Sequence, residues 1–384
     1  MIAYNRQSLD NLEIRQEANE AFKQGCISED MQRAIHEAYP VKLYMPNLMI
    51  SIGLFILTCI VIILSLCFFG LLNLEMFGDN FHILGIVWGL LCYVACELSV
   101  RGGRQCFHCG IDDALLYGAI IFIHGGLTLK SDPSMTVHSA IALLLTLLAT
   151  LRFANAFCAG VAYLALLMLI FNLSTGPVAM AVLPFLIMLI SGGVYLAVRK
   201  WKTRNSFRYY RNCLTVVEVL SLITLYAAGN YYIVRELSIT MFEIELAPGQ
   251  DIPFGWLFWI LTVTIPLLYL YYGIRKKDVI RLRTGLLLVA AIVFTVRYYH
   301  HLLPLETAMV AAGILLIGGA WLLIRYLQTP RNGFTYKETD QQALMDKLQV
   351  ESLIISETLT PSAPQQGMEF GGGTGGGGGA SGQY

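Results

Sequence analysis

The chain has 384 residues, of which 56% are hydrophobic and 14% charged, with 26 basic and 26 acidic side chains. Soluble domains are about 25% charged, so this composition and a mean hydropathy of +0.61 exclude an ordinary soluble domain and point to an integral membrane protein. A net charge of zero leaves no global field to hold nucleic acid.

Residues 1–45 are polar and helix-forming. Leu9, Leu12, Ala18, Ala21 and Phe22 recur at helical spacing up to Gly25. Ser28 is placed to cap a second short helix, with Glu29 and Asp30 in its first turn, where acids complement the helix dipole. Met31, Ala34, Ile35 and Ala38 make its apolar face, and Pro40 stops it. The reading is a cytosolic helical hairpin, packed on itself or on the membrane face. The first apolar run starts near Leu48, too far in for a cleavable signal, so the first span is expected to stay as an anchor.

Ten apolar segments follow, at 47–72, 81–100, 111–129, 135–151, 153–172, 178–198, 212–234, 254–273, 284–299 and 305–326. Most reach the roughly 20 residues that cross a hydrocarbon core of about 30 Å. The fold class expected is therefore all-α, a polytopic transmembrane helix bundle over 46–327. Arg152 and Asn155 mark a tight turn between the fourth and fifth spans.

The stretch from Arg199 to Arg211 carries six cations and no acid. Such a segment stays on the cytosolic side. Threading ten spans from a cytosolic N-terminus then leaves 23 of the 26 Lys and Arg residues on that side. Only Lys130, Arg235 and Arg297 fall outside. Both termini are thus expected in the cytosol, and the membrane is read as the inner membrane of a bacterium.

Among the outer loops 235–253 is the longest. Thr240, Phe242, Ile244 and Leu246 alternate there with Met241, Glu243 and Glu245, a pattern that predicts a short strand ended by Pro248-Gly249. Beyond Arg325 the chain turns polar. An amphipathic helix is expected within 328–360, through Leu344, Leu348 and Ile355, and residues 361–384 form a glycine-rich tail expected to be disordered.

Two features carry resemblances. Gly25-Cys26-Ile27-Ser28, in a hairpin leading into a many-span body, resembles a family of bacterial membrane proteins of unknown function that begin with a cytosolic "glycine, x, isoleucine, serine" hairpin. The tail from Gly371 to Tyr384 is similar to the glycine-rich C-termini of some bacterial membrane proteins with a TPM domain. Neither implies a catalytic or ligand-binding residue.

Ionisable groups inside spans are the default functional hint, because a charge at mid-bilayer costs roughly 2.5–3.5 kcal/mol or more. Glu97 lies close to the cytosolic end of the second span. Glu218 is about 9 Å into the seventh, and His124 about 20 Å into the third. Glu97 and Glu218 are within reach of interfacial water or of Arg101, Arg104 or Arg211. An outer cluster of Arg297, His300, His301 and Glu306 surrounds Pro304. Either it binds an anion or senses pH, or it is a solvated turn.

Nine cysteines, mostly in apolar runs or on the cytosolic side, argue against a disulfide framework. Cys106-Phe107-His108-Cys109 beside Asp112-Asp113 offers two thiols and an imidazole, but a second ligand pair at metal-site spacing is missing. The simpler reading is packing, with Asp112 and Asp113 capping the third span. Gly85 and Gly89, and the pairs Gly192-Gly193 and Gly318-Gly319, are expected to let helices approach closely. Pro184 and Pro266 are expected inside spans six and eight.

No phosphate-binding glycine loop, zinc-protease pair or nucleophile beside a base is legible. No catalytic, cofactor or metal residue is therefore assigned, and a non-enzymatic role is expected. Two readings remain. One is a membrane protein acting through cytosolic partners at 1–45 and 337–384. The other is a small-molecule permease with a polar cavity near His124 or Glu218.

Overall fold

The computed structural model describes residues 2–300, apart from 24, 73–79, 103–104, 131–132, 175–176 and 243–251, and eight positions from 307 to 325. Two short helices, α1 (Arg6–Lys23) and α2 (Glu29–Ala38), precede the bundle. The bundle helices are α3 (Leu48–Leu72), α4 (Phe81–Arg101), α5 (Ile111–Thr128), α6 (Met135–Phe153) and α7 (Ala156–Leu173). Then come α8 (Pro177–Lys202), a 3-10 turn (Asn205–Tyr210) and α9 (Arg211–Gly229). The last described helices are α10 (Tyr231–Phe242), α11 (Gly255–Arg275) and α12 (Val279–His300). The chain is an all-α bundle and a multi-pass membrane protein. Among the described residues nine segments are long and apolar enough to cross a bilayer: α3 to α8, α9 with the turn before it, α11 and α12. The expected tenth, 305–326, lies mostly outside the described residues; the positions described there are helical. Residues 328–360 and the glycine-rich tail lie outside them altogether.

Consecutive helices pack as pairs, α4 on α5, α6 on α7, α8 on α9 and α11 on α12. The pillar of the assembly is α9, which also touches α7, α11 and α12. Its Leu222 and Tyr226 are fully buried. By contrast α3 lies at the rim and exposes Leu57, Val61, Ile63, Leu64 and Phe68. With no water in the bilayer core, a helix can be apolar all round because its backbone bonds are internal. The α4–α5 contact relies on small residues. A Cβ at Gly89 would lie 2.9 Å from the amide nitrogen of Ile123, and one at Gly126 2.7 Å from that of Ile86. Among the described residues Gly192 and Gly193 do not serve this way: an added Cβ would meet nothing closer than 3.6 Å at Gly192 and nothing within 4 Å at Gly193; the surroundings of Gly318 lie mostly outside the described residues.

The basic loops share one end of the bundle, here the N-terminal face. The Tyr44–Cys106 bridge ties the loop after α4 to the segment before α3. Ala3 N–H donates to the Arg152 carbonyl (2.8 Å), Arg208 pairs with Asp10 (2.6 Å) and Arg199 with Asp278 (3.3 Å). The basic segments as far as α12 are thus grouped at one face.

Three expectations need correction. The span drawn as 212–234 is interrupted at Asn230, whose side chain accepts from Ile233 N–H (3.1 Å) and so starts a new helix. The expected strand near Thr240 is, as far as Phe242, the end of α10. Tyr231, Val234 and Ser238 are buried there at helical spacing, which outweighs the short alternation; 243–251 lie outside the described residues. The ninth span begins at Val279 rather than at 284. Its charged first turn is held because Asp278 caps Arg281 N–H (3.3 Å) and pairs with the Arg281 guanidinium. In the hairpin, α2 leaves most of its apolar face exposed. It meets α1 through polar groups, Gln32 Nε2 donating to Asn19 Oδ1 (2.7 Å) and His36 Nε2 meeting the same oxygen (2.9 Å). Met31, Ala34 and Ala38 face outward, Met31 being 54% exposed. Ser28 does cap α2, its Oγ accepting from Met31 N–H (3.3 Å).

Candidate functional site beneath the N-terminal segment

The residues with most chemistry gather at the N-terminal face, where α5 begins. The loop before it is bent by positive φ at Gln105 (35°), His108 (49°) and Gly110 (94°). Only glycine fits position 110, since an added Cβ would sit 2.1 Å from the Ser51 carbonyl oxygen. Tyr44 fixes the far side of the loop: its N–H donates to the Gln105 carbonyl (3.1 Å) and its carbonyl accepts from Phe107 N–H (3.2 Å).

This bend points two amides at one carboxylate. His108 N–H donates to Asp112 Oδ2 (2.8 Å) and Cys109 N–H to Asp112 Oδ1 (3.0 Å). Asp112 is buried, and Tyr4 adds its hydroxyl to Oδ2 at 3.4 Å. Asp113 faces α7. Its Oδ1 accepts from Asn155 Nδ2 (2.7 Å) and meets His108 Nδ1 (3.3 Å). Asn155 also caps α7, its Oδ1 accepting from Cys158 N–H (3.0 Å) and from the Tyr117 hydroxyl (3.3 Å). So one buried carboxamide links α5, α6 and α7.

The N-terminal segment closes this cluster. Tyr4 is buried with its ring edge-on to Phe107 (centroids 4.8 Å apart), and Ile2 packs beside Ala154 and Cys213. Burial and then the charge of Asp112 push the Tyr4 phenol far above its usual range, so it remains a donor. At His108 burial pulls the imidazole down, but the hydrogen bond to Asp113 and the charges of Asp113 and Asp112 outweigh it, and the net direction is up.

Donor atoms of His108, Asp112 and Asp113 lie within 4.8 Å of one another. The thiols of Cys106 and Cys109 are not part of this group. The two thiols face each other, while the imidazole turns away to Asp113. Burial, then the contact with Cys106, pushes the Cys109 thiol up to about 12.

The other candidates lie elsewhere. Glu97 is held by one edge of the Arg152 guanidinium, Nε donating to Oε1 at 2.6 Å and Nη2 to Oε2 at 3.0 Å, with Arg101 at 3.1 Å. Glu218 is buried and paired with Lys202, not with Arg211. His124 meets the His138 carbonyl through Nε2 (3.2 Å), the two rings 5.4 Å apart. Glu218 and His124 thus close on separate neighbours, and the structure brings them to no common site. Arg297 sits partly buried on α12, which ends at His300; His301 and Glu306 lie outside the described residues.

Sequence reasoning missed Tyr4, Tyr117, Lys202 and the linking role of Asn155. For Asn155 there was a signal, an amide just before an apolar run. For Tyr4 there was none, because its partner is 108 residues away. No family model, curated protein or solved structure matches the chain.

Proposed function

We propose that the chain is a non-enzymatic protein of a bacterial inner membrane, both termini cytosolic, that works by presenting its N-terminal hairpin and residues 337–384 to cytosolic partners. The observation that carries this reading is the orientation of the hairpin. One helix is fastened and the other is left open. Asp10 meets Arg208 (2.6 Å) and accepts from the Tyr209 hydroxyl (2.7 Å), and Glu13 pairs with Arg211 (3.4 Å). These contacts hold α1 on the basic loop, while Met31, Ala34 and Ala38 of α2 are exposed. A held amphipathic helix with a free apolar face suits helix-in-groove recognition, read through residues three and four apart. The hairpin that resembles the bacterial family is this same module.

Two variants test it. Met31→Asp with Ala38→Asp leaves the α1 contacts intact and is expected to strip specific partners from cells cross-linked before extraction. Deleting 337–384 is expected to remove a second set. Identical partners in wild type and both variants would end this reading.

The alternative, a small-molecule permease with a polar path at His124 or Glu218, is favoured by the interruption at Asn230. Broken helices line sites in transporters. Here Asn230 Nδ2 donates to the Tyr226 hydroxyl (2.8 Å) and to Thr295 Oγ1 (3.1 Å), and Tyr231 N–H donates to Thr262 Oγ1 (3.0 Å). Proteoliposome uptake that is lost in Glu218→Gln would favour this alternative over the first reading.

A further inference from the structure

We infer that His108, Asp112 and Asp113 bind one divalent transition-metal ion of the zinc class, roofed by the N-terminal segment. Three features of the site point there.

The first is charge. The other acids held between bundle helices each meet a fixed cation: Glu97 meets Arg152 and Arg101, Glu218 meets Lys202, and Asp278 meets Arg199 and Arg281. Among the described residues, Asp112 has no ion-pair partner and Asp113 has only the imidazole of His108. The start of α5 supplies about half a positive charge, which leaves most of two neighbouring negative charges uncompensated whenever the His108 imidazole is neutral. A divalent ion supplies what is missing.

The second is geometry. His108 Nδ1 and Asp113 Oδ1 are 3.3 Å apart. A tetrahedral ion with bonds of about 2.0–2.1 Å sets neighbouring ligand atoms about 3.3 Å apart. The Asp112 carboxylate lies within 4.8 Å of both and has to turn inward to complete the set. Its Oδ1 accepts only the Cys109 N–H among the described residues and so keeps a lone pair. One nitrogen and two carboxylate oxygens leave a fourth position for water. The imidazole favours zinc over calcium or magnesium, which take oxygen ligands.

The third is the shell behind the donors. Asn155, itself held by Tyr117, orients Asp113; Tyr4 and the Cys109 amide orient Asp112. Metal-binding carboxylates are held in this manner by outer partners. Helix capping needs neither Asn155 nor an imidazole on Asp113.

The test uses the full chain in detergent, stripped with chelator and titrated with Zn2+. One equivalent is expected to bind and to raise the unfolding temperature. Asp113→Asn and His108→Asn are each expected to weaken binding at least tenfold. The double variant Cys106→Ser, Cys109→Ser is expected to bind as wild type does. Absence of saturable binding in wild type would overturn the inference. So would unchanged affinity in Asp113→Asn, or loss in the serine double variant. A measurement on the unaltered chain guards against variants that fold poorly. Its Co2+ complex is expected to show four-coordinate visible bands without a thiolate charge-transfer band; octahedral or thiolate spectra would overturn the assignment.

Discussion

Around α8, α9 and α12 the interior acids meet full cations: Lys202 reaches Glu218, and Arg199 and Arg281 reach Asp278. Around the start of α5, Asp112 and Asp113 meet two amide N–H groups, a phenol, a carboxamide and one imidazole. Both regions lie at the same face, and their difference is one of source. The first region draws its cations from the last turn of α8 and the first turn of α12, basic ends that topology already places there. The second depends on a loop bent so that backbone groups converge. Charge compensation by long side chains tolerates small shifts of the backbone, whereas compensation by N–H groups does not.

The sharpest way to break the second region without touching the first is Gly110→Ala. The new Cβ would meet the Ser51 carbonyl oxygen at 2.1 Å, at a φ of 94° that alanine avoids. We expect a loss above about 4 kcal/mol, in the range tied to strain and broken buried networks, measured by thermal unfolding in detergent. Stability within 1 °C of wild type would mean that the loop is not held as described.

In the first region the corresponding change is Lys202→Met, which strands the buried Glu218 carboxylate. Removing one member of a buried pair costs roughly 3–5 kcal/mol. Adding Glu218→Gln is expected to recover most of that, and the double-mutant cycle measures the coupling. If the double variant is no better than the single one, the pair is not what stabilises α8 against α9.

A smaller change sharpens the contrast. Asn155→Ala removes the cap of α7 and the carboxamide on Asp113 together. About 2 kcal/mol is expected from the lost cap and hydrogen bonds. Hydrogen exchange should rise at the start of α7 and in the 105–110 loop but not along α8. Uniform loosening would show that the two regions are coupled.

How much of this was legible follows from the range of the forces involved. Apolar run length and the sorting of cations are local or one-dimensional quantities, so the helical class, nine of the spans and the grouping of the basic loops could be read directly. The Ser28 cap was legible for the same reason, its partner being three residues on. Where local signals competed they misled: alternation suggested a strand at Thr240, while the buried face of α10 at Tyr231, Val234 and Ser238 selected a helix.

The sequence by itself thus determined that the chain is a multi-span helical membrane protein with its basic loops on one face, because the bilayer penalises charge and exposed backbone whatever the packing. Only the tertiary structure decided which acids are paired, that His108 turns to Asp113 rather than to the thiols, that Asn230 interrupts a span, and that Tyr4 seals the cluster. Those choices rest on contacts such as Tyr4 with Asp112 and Asn155 with Asp113, separated by 108 and 42 residues. Hydrogen-bond geometry at that separation exists only once the helices have packed.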